Sequence, residues 1–185
     1  MKPIACAITG ALALAAISPA AAHVTLSQTS APAGSGFTGY FRIGHGCAGS
    51  ATTALRIEIP ADVLGAKPQP KAGWTLKIEH ETLAKPQVGD GGRPITQRVS
   101  AITWTGGPLP DEEWDEFGLS ARLPKRAGVV VFPATQTCQQ GQEHWSDPPS
   151  PDHAARPAHP APSLTLGPAG GDDGMMMSMP MPMGH

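Results

Sequence analysis

The chain has 185 residues and a formal net charge of −2 at pH 7, and it contains 22 glycines and 21 prolines. This length supports one domain behind a short leader, and the absence of a basic run argues against nucleic acid or an anionic membrane surface as a partner. Abundant glycine and proline without sustained helical periodicity favour an all-β domain.

Residues 1–22 have the features of a secretory signal peptide. Lys2 supplies the positive charge, residues 4–17 are apolar, and Ala20 and Ala22 fit an A-x-A cleavage site. The apolar stretch is too short to span a bilayer, so we expect a soluble periplasmic or secreted protein. Cleavage after Ala22 makes His23 the first mature residue, although the run of alanines leaves a neighbouring cleavage position open.

A histidine at a free N-terminus is a candidate metal chelator. The α-amine and the imidazole Nδ1 of His23 can bind one ion from a single residue, and both are nitrogen donors that suit Cu(II). The alternative is a polar first residue with no metal role. The N-terminal sequence by itself leaves both interpretations open.

Short segments of alternating hydrophobic residues predict seven or eight strands separated by turns. The spacing is typical of an immunoglobulin-like antiparallel β-sandwich. The apolar run at residues 129–132 predicts a strand covered on both faces. A final edge strand is expected at residues 163–166, and the pattern leaves open another strand that includes Trp145. The hydrophobic residues that carry these predictions include Leu55, Ile57, Ile59, Trp74, Leu76, Ile102, Trp104, Phe117 and Leu119.

Cys47 and Cys138 are the two cysteines that remain after cleavage. An even number of cysteines in an oxidising compartment favours a disulfide. It would close a loop of roughly 90 residues, which corresponds to about 4–5 kcal/mol of stabilisation. A thiolate metal site is the alternative, but neither cysteine belongs to a C-x-x-C motif.

The C-terminal segment differs in composition from the domain. Proline and alanine dominate residues 148–162, and residues 167–185 are expected to be disordered. Soft thioether ligands prefer Cu(I), so the methionines of the tail predict a Cu(I) site to which His185 could add an imidazole. The alternative is a low-complexity tail without a role. The methionines are Met175, Met176, Met177, Met179, Met181 and Met183.

Several short segments occur together in this chain. They include Ala22-His23-Val24, His45-Gly46-Cys47, Trp104-Thr105-Gly106-Gly107, Leu109-Pro110-Asp111, Asp115-Glu116-Phe117 and Glu143-His144-Trp145. Their arrangement resembles the YcnI-like family of exported copper-binding proteins, whose domain is one of unknown function. The resemblance covers residues 23–166. It implies an immunoglobulin-like sandwich that binds Cu(II) through a mono-histidine brace, with a carboxylate and a tryptophan nearby.

By position, the resemblance assigns the chelating role to His23 and the tryptophan role to Trp145. Glu116 is the first choice for the carboxylate, because strand alternation turns it away from its hydrophobic neighbours. Asp111 is the second choice and Glu143 a weaker one.

The surroundings of Trp145 suggest how it would act on the metal. Gly141 precedes it and Pro148-Pro149 follow it, which predicts an exposed, loop-like setting. An indole there would shield one axial face of the copper. Trp74 and Trp104 are interpreted as core residues.

These features predict a copper-trafficking protein that is not an enzyme, with Cu(II) held by the domain and Cu(I) by the tail. A copper-dependent oxidase or oxygenase is one alternative, but it normally needs a second histidine. His45, His80 and His144, the candidates before the proline-rich stretch, have no supporting motif. A metal-free interaction sandwich is the other alternative. Expected partners, by family analogy, are other periplasmic copper chaperones or a membrane copper transporter.

Overall fold

The computed structural model describes residues 23–150 and 157–169, and within them the chain forms twelve strands and one short 3-10 helix at Asp90–Gly92. The predicted signal peptide and the methionines of the tail lie outside the described residues. The strands are β1 (Thr25–Leu26), β2 (Ser30–Pro32), β3 (Gly36–Ile43), β4 (Thr52–Glu58), β5 (Leu64–Pro68), β6 (Trp74–Val88), β7 (Pro94–Leu109), β8 (Asp115–Arg122), β9 (Gly128–Val131), β10 (Ala134–Cys138), β11 (Gln142–Trp145) and β12 (Ser163–Gly167).

Two antiparallel sheets form the sandwich. One has the order β1-β3-β8-β5 and the other the order β11-β10-β4-β7-β6. Aromatic side chains meet between them: the rings of Trp104 on β7 and Phe117 on β8 lie 5.6 Å apart, centroid to centroid. Leu55 and Ile57 are fully buried, as their alternation predicts. The prediction of an all-β antiparallel sandwich is confirmed.

A third, smaller sheet with the order β2-β12-β9 corrects two details of the prediction. β12 lies between its two neighbours and pairs in parallel with β2, so it is not an edge strand. Val129 is 44% exposed whereas Val130 and Phe132 are buried, so the apolar run is covered on one face instead of two.

β6 and β7 form a hairpin that is much longer than the short strands expected there. The two strands pair antiparallel from Trp74↔Gly106 to Val88↔Pro94. Most side chains of β6 beyond Ile78 are exposed, and Arg98 donates to Glu81 across the hairpin at 2.6 Å. Hydrophobic alternation cannot reveal this extension, because it buries almost no apolar surface. Among the described residues no helix is long and apolar enough to cross a bilayer.

Glu79 on β6 is held by two basic side chains. Its carboxylate accepts hydrogen bonds from Arg56 at 2.8 and 3.0 Å and lies 3.0 Å from the Lys77 Nζ. These donors, Arg56 first, lower the pKa of Glu79 from 4.5 to about 2. The ionised form is therefore the one that the folded sheet favours.

This shift predicts a contribution to acid sensitivity. Because folding lowers the pKa of Glu79, its ionised carboxylate stabilises the folded protein fully at pH values above the ordinary pKa of 4.5. This stabilisation is lost as the pH falls through about 2. We expect Glu79→Gln to flatten the pH dependence of the unfolding free energy within this window, measured by urea unfolding at several pH values. Glu113→Gln, at an exposed turn, is the control. An identical slope in Glu79→Gln and the parent protein would contradict the assignment.

Cys47 and Cys138 form the predicted disulfide, with an S–S distance of 2.01 Å and a sequence separation of 91 residues. Both residues are buried. The bond joins the loop after β3 to the end of β10. The alternative of a thiolate metal site at these cysteines is therefore wrong.

Candidate metal centre

His23 lies at the rim of the sandwich, two residues before the first residue of β1. Val24 is 2% exposed and belongs to the core, so its burial fixes where the chain enters the sheet. The imidazole of His23 is half-buried and meets the indole of Trp145 edge to face, with ring centroids 5.4 Å apart and planes at 60°. The structure thus brings together the histidine and the tryptophan that the sequence assigned to one site.

Trp145 is in a different setting from the one predicted. It lies on β11 opposite Ala134 of β10 and is 4% exposed, so the expectation of an exposed loop is wrong. Strand alternation explains the burial, because His144 points outward and Trp145 points into the core. The indole therefore approaches His23 from the inside of the sandwich.

His159 contacts the same indole and was missed by the sequence analysis. Its ring centroid lies 5.5 Å from that of Trp145, with the planes at 49°. Its Nδ1 lies 3.6 Å from the Glu143 Oε2. The sequence survey considered only histidines before the proline-rich stretch. The strand predicted at residues 163–166 could have pointed to His159. The residues just before a strand must reach the edge of the sheet that the strand joins, and His159 is four residues before this one.

An opening of about 210 Å³ lies beside His23. Residues next to β1 and residues preceding β12 form its walls, including Thr25, Thr29, Pro160 and Pro162. His23 thus borders this opening and also contacts the indole of Trp145.

Gln136 anchors Trp145 from within the core. It is 2% exposed, and its Oε1 accepts a hydrogen bond from the indole Nε1 at 3.3 Å. Its Nε2 donates to the His45 carbonyl at 2.7 Å and to the Thr52 hydroxyl at 2.8 Å. The Thr52 hydroxyl lies 3.8 Å from the Cys138 Sγ. This buried network connects the tryptophan with the disulfide region.

Replacing Gln136 with leucine is expected to destabilise the protein by at least about 2 kcal/mol. The substitution removes the acceptor of the Trp145 indole N–H and the amide that donates to the buried Thr52 hydroxyl, and each unsatisfied buried group costs about 1–3 kcal/mol. Urea unfolding measures the loss, and the NMR signal of the Trp145 indole N–H reports its altered setting. Gln87→Leu, at an exposed position, is the control and should stay within about 0.5 kcal/mol. Equal stability of the two variants would contradict the role of Gln136.

The two carboxylates preferred from the sequence have other partners. Glu116 accepts a hydrogen bond from Arg42 at 2.6 Å. Glu116 on β8 is paired with Arg42 on β3, and Arg42 is paired with Thr25 on β1. The Cα atoms of Glu116 and Thr25 are therefore two strand spacings apart, about 9.5 Å. Asp111 accepts from the Gly46 amide at 2.9 Å. The assignment of Glu116 and Asp111 as metal ligands stays a prediction. Glu143, in contrast, faces His159, whose ring contacts Trp145.

Two of the histidines considered for the oxidase alternative lie away from His23. His80 lies on the exposed hairpin, and His144 contacts Thr135 on the outer face of β11. Residues 23–150 and 157–169 contain no group of three or more histidine, cysteine, aspartate or glutamate side chains arranged to hold a metal. A mono-histidine brace takes two nitrogen ligands from one residue, so it does not require three metal-binding side chains in one place.

Comparison with known proteins gives a family and a fold. Residues 23–166 match the family model described as "Domain of unknown function (DUF1775)". The chain is similar to the crystal structure of an uncharacterized protein from Nocardia farcinica, which reveals an immunoglobulin-like fold. The identity is 30%, the TM-score is 0.61, and the match covers 78% of this chain and 97% of the other. The predicted immunoglobulin-like architecture is thereby confirmed. No curated protein matches.

Proposed function

The chain belongs to the DUF1775 family, and from this premise we propose that it is an exported copper-binding protein whose mature N-terminus holds Cu(II). The observation that carries the proposal is the contact between the imidazole of His23 and the buried indole of Trp145. Copper is the cargo of this protein, and the proposed role is trafficking or homeostasis without catalysis.

The residues present suit the ion. The amine and Nδ1 of a mature N-terminal His23 are nitrogen donors of the kind that Cu(II) prefers in tetragonal geometry. Strand pairing of β1 begins at Thr25, two residues after His23. The buried indole of Trp145 shields the imidazole where the two rings meet, and the opening beside His23 gives an ion access to it. Both a bound ion and its exchange are compatible with this arrangement.

A carboxylate is proposed to complete the surroundings of the ion. Glu143 faces His159 beside the indole, with 3.6 Å between its Oε2 and the Nδ1 of that ring. Glu116, the first choice from the sequence, would have to leave its ion pair with Arg42. We therefore prefer Glu143 to Glu116 and Asp111 on grounds of position.

The methionine tail is proposed to bind Cu(I), for which thioether donors are suited. Reduction of the ion would then move its preferred site from the domain to the tail. This division supports transfer to another exported copper protein or to a membrane copper transporter. Ordering a flexible tail costs backbone entropy, so we expect its affinity to be modest.

The test compares two proteins that begin at His23, one complete and one ending at residue 169. Each is titrated separately with Cu(II) and with Cu(I), with electron paramagnetic resonance (EPR) for the former and a chromogenic competitor for the latter. We expect both proteins to bind one Cu(II) with a nitrogen-rich spectrum, and only the complete protein to retain Cu(I). Absence of a single tight Cu(II) site would overturn the domain's role, and equal Cu(I) affinities would overturn that of the tail. Hydrogen peroxide formation by the copper-loaded protein with a reductant would favour the oxidase alternative.

A further inference from the structure

A groove of about 600 Å³ lies between the tip of the β6–β7 hairpin and the segment that follows β8. The hairpin contributes Val88, which is 80% exposed, the highest value among the large hydrophobic residues that the structure describes. Half-buried Leu64 and the buried residues Leu123 and Pro124 add further apolar surface to the lining. The groove therefore has an apolar wall that the described residues leave open to solvent.

The groove also carries a net positive charge. Its lining includes two cationic side chains, Arg122 and Lys125, and one carboxylate, Asp62. Arg126 donates to the Asp62 Oδ2 at 2.8 Å, so this carboxylate already has a cationic partner. Lys125 is exposed, and no carboxylate of the described residues forms an ion pair with it. The complement of this surface is an acidic segment with apolar neighbours.

The C-terminal segment leaves the domain beside this groove. The Gly167 carbonyl, at the end of β12, accepts a hydrogen bond from the Ala33 amide at 3.2 Å. The next residue, Gly34, lines the groove and lies against Lys125, since a Cβ on this glycine would be 3.4 Å from the Lys125 Cγ. The residues after β12 therefore start next to one wall of the groove.

The segment that follows has the composition that this surface requires. Asp172 and Asp173 form an acidic pair, and residues 175–177 are methionines. Asp172 comes five residues after the end of β12. An extended chain covers about 3.3–3.6 Å per residue, so the acidic pair can reach Lys125. Methionine side chains are unbranched and adapt to irregular apolar surfaces such as the wall at the hairpin tip.

The tether allows weak contacts to be sufficient. Each exposed ion pair contributes little, and ordering the segment costs backbone entropy. A short flexible linker, however, keeps the segment near the groove at an effective concentration on the order of millimolar. An intrinsic affinity in the same range therefore gives substantial occupancy of the groove.

We propose that residues 172–177 of this chain dock in the groove of the metal-free protein. The acidic pair faces Lys125, and the methionines cover Val88. The inference concerns the protein without copper, so it does not depend on the proposed site at His23.

Docking places the methionines at a defined end of β12. This strand begins at Ser163, which borders the opening beside His23, and it ends at Gly167, next to the groove. A strand rises about 3.3 Å per residue, so these two ends are about 13 Å apart along β12. The docked segment is thus held at the end of β12 that lies away from this opening.

The experiment detects docking by NMR on the complete mature, metal-free protein at low salt, with methyl-labelled methionine. We expect nuclear Overhauser effects (NOEs) between methionine methyl groups and the Val88 methyl groups. Their intensity should fall by roughly half or more in Lys125→Gln and in Asp172→Asn combined with Asp173→Asn, because an ion pair is lost. Raising the salt concentration should weaken them in the parent protein as well.

Matched controls remove the same charges away from the groove. Lys67→Gln is the control for Lys125, and Glu112→Gln combined with Glu113→Gln is the control for the acidic pair. All three residues are exposed and lie outside the lining. Both controls should retain the NOE intensities of the parent protein, and thermal unfolding checks that every variant is folded.

Three outcomes would overturn the inference. Absence of these NOEs in the parent protein would show that the segment does not occupy the groove, whatever the variants do. NOEs found only between labelled and unlabelled molecules of a mixture would assign the groove to a second copy of the chain. Unchanged intensities in both charge variants would exclude the pairing of the acidic residues with Lys125.

Discussion

One extra residue before His23 should weaken Cu(II) binding to the mature protein by two orders of magnitude or more. The extension converts the basic α-amine into an amide, so the histidine loses one of the two nitrogens of its chelate. Loss of a ligand should exceed the about 10- to 100-fold cost that is typical of changes around a ligand. Each tenfold loss corresponds to about 1.4 kcal/mol of binding free energy. Titration against a Cu(II) chelator of known affinity measures the difference.

The control for this experiment is a protein that carries the extra residue at the C-terminus instead. It has the same composition as the extended protein but retains the amine of His23. The contact with Trp145 is made by the imidazole, so the extension should leave the fold unchanged, and thermal unfolding checks this. Equal affinity of the two proteins would show that the N-terminal amine is not a ligand.

Removing the disulfide is expected to produce the largest loss of stability. Cys47→Ser combined with Cys138→Ser opens a loop that joins residues 91 positions apart. The chain-entropy account predicts a loss of about 4–5 kcal/mol for a loop of this length, a large part of the total stability of a domain. Urea unfolding of the double variant and of the parent protein measures the effect.

The same variant tests whether the disulfide supports the site. Thr52 lies between the Cys138 sulfur and Gln136, which in turn holds the indole of Trp145. We therefore expect the NMR signal of the Trp145 indole N–H to change in the double variant. The parent protein treated with a reductant is the control and should behave like the double variant. A loss below about 1 kcal/mol in both would contradict the predicted contribution of the disulfide.

The strands that face the core could be predicted from sequence because burial leaves a repeating signal. Phe117 and Leu119 are both buried, whereas Glu116, which precedes Phe117 on β8, forms an ion pair with Arg42. The outer part of the β6–β7 hairpin, beyond Ile78, left no such signal, since it is held by backbone pairing and ion pairs. The prediction that Trp145 is exposed was wrong because Gly141 and Pro148-Pro149 mark only the limits of β11. They do not indicate which face of that strand is covered by the core.

The candidate site could be predicted only in part. His23 followed from the cleavage signal, and Trp145 followed from the family resemblance. Glu116 was chosen because it faces outward, a property that says nothing about distance from His23. The contact of His159 with Trp145 depends on hydrogen bonds between Asp147 and the end of the proline-rich stretch, at His159 and Ala161. Contacts of this kind join distant parts of the chain and leave no local pattern.

The most direct test of the copper site is a crystal structure of the mature protein loaded with Cu(II), with the ion located by its anomalous scattering. The proposal predicts one copper ion bound to the amine and Nδ1 of His23, beside the indole of Trp145. An ion located elsewhere in the domain, with His23 still packed on Trp145 and not coordinated, would contradict it.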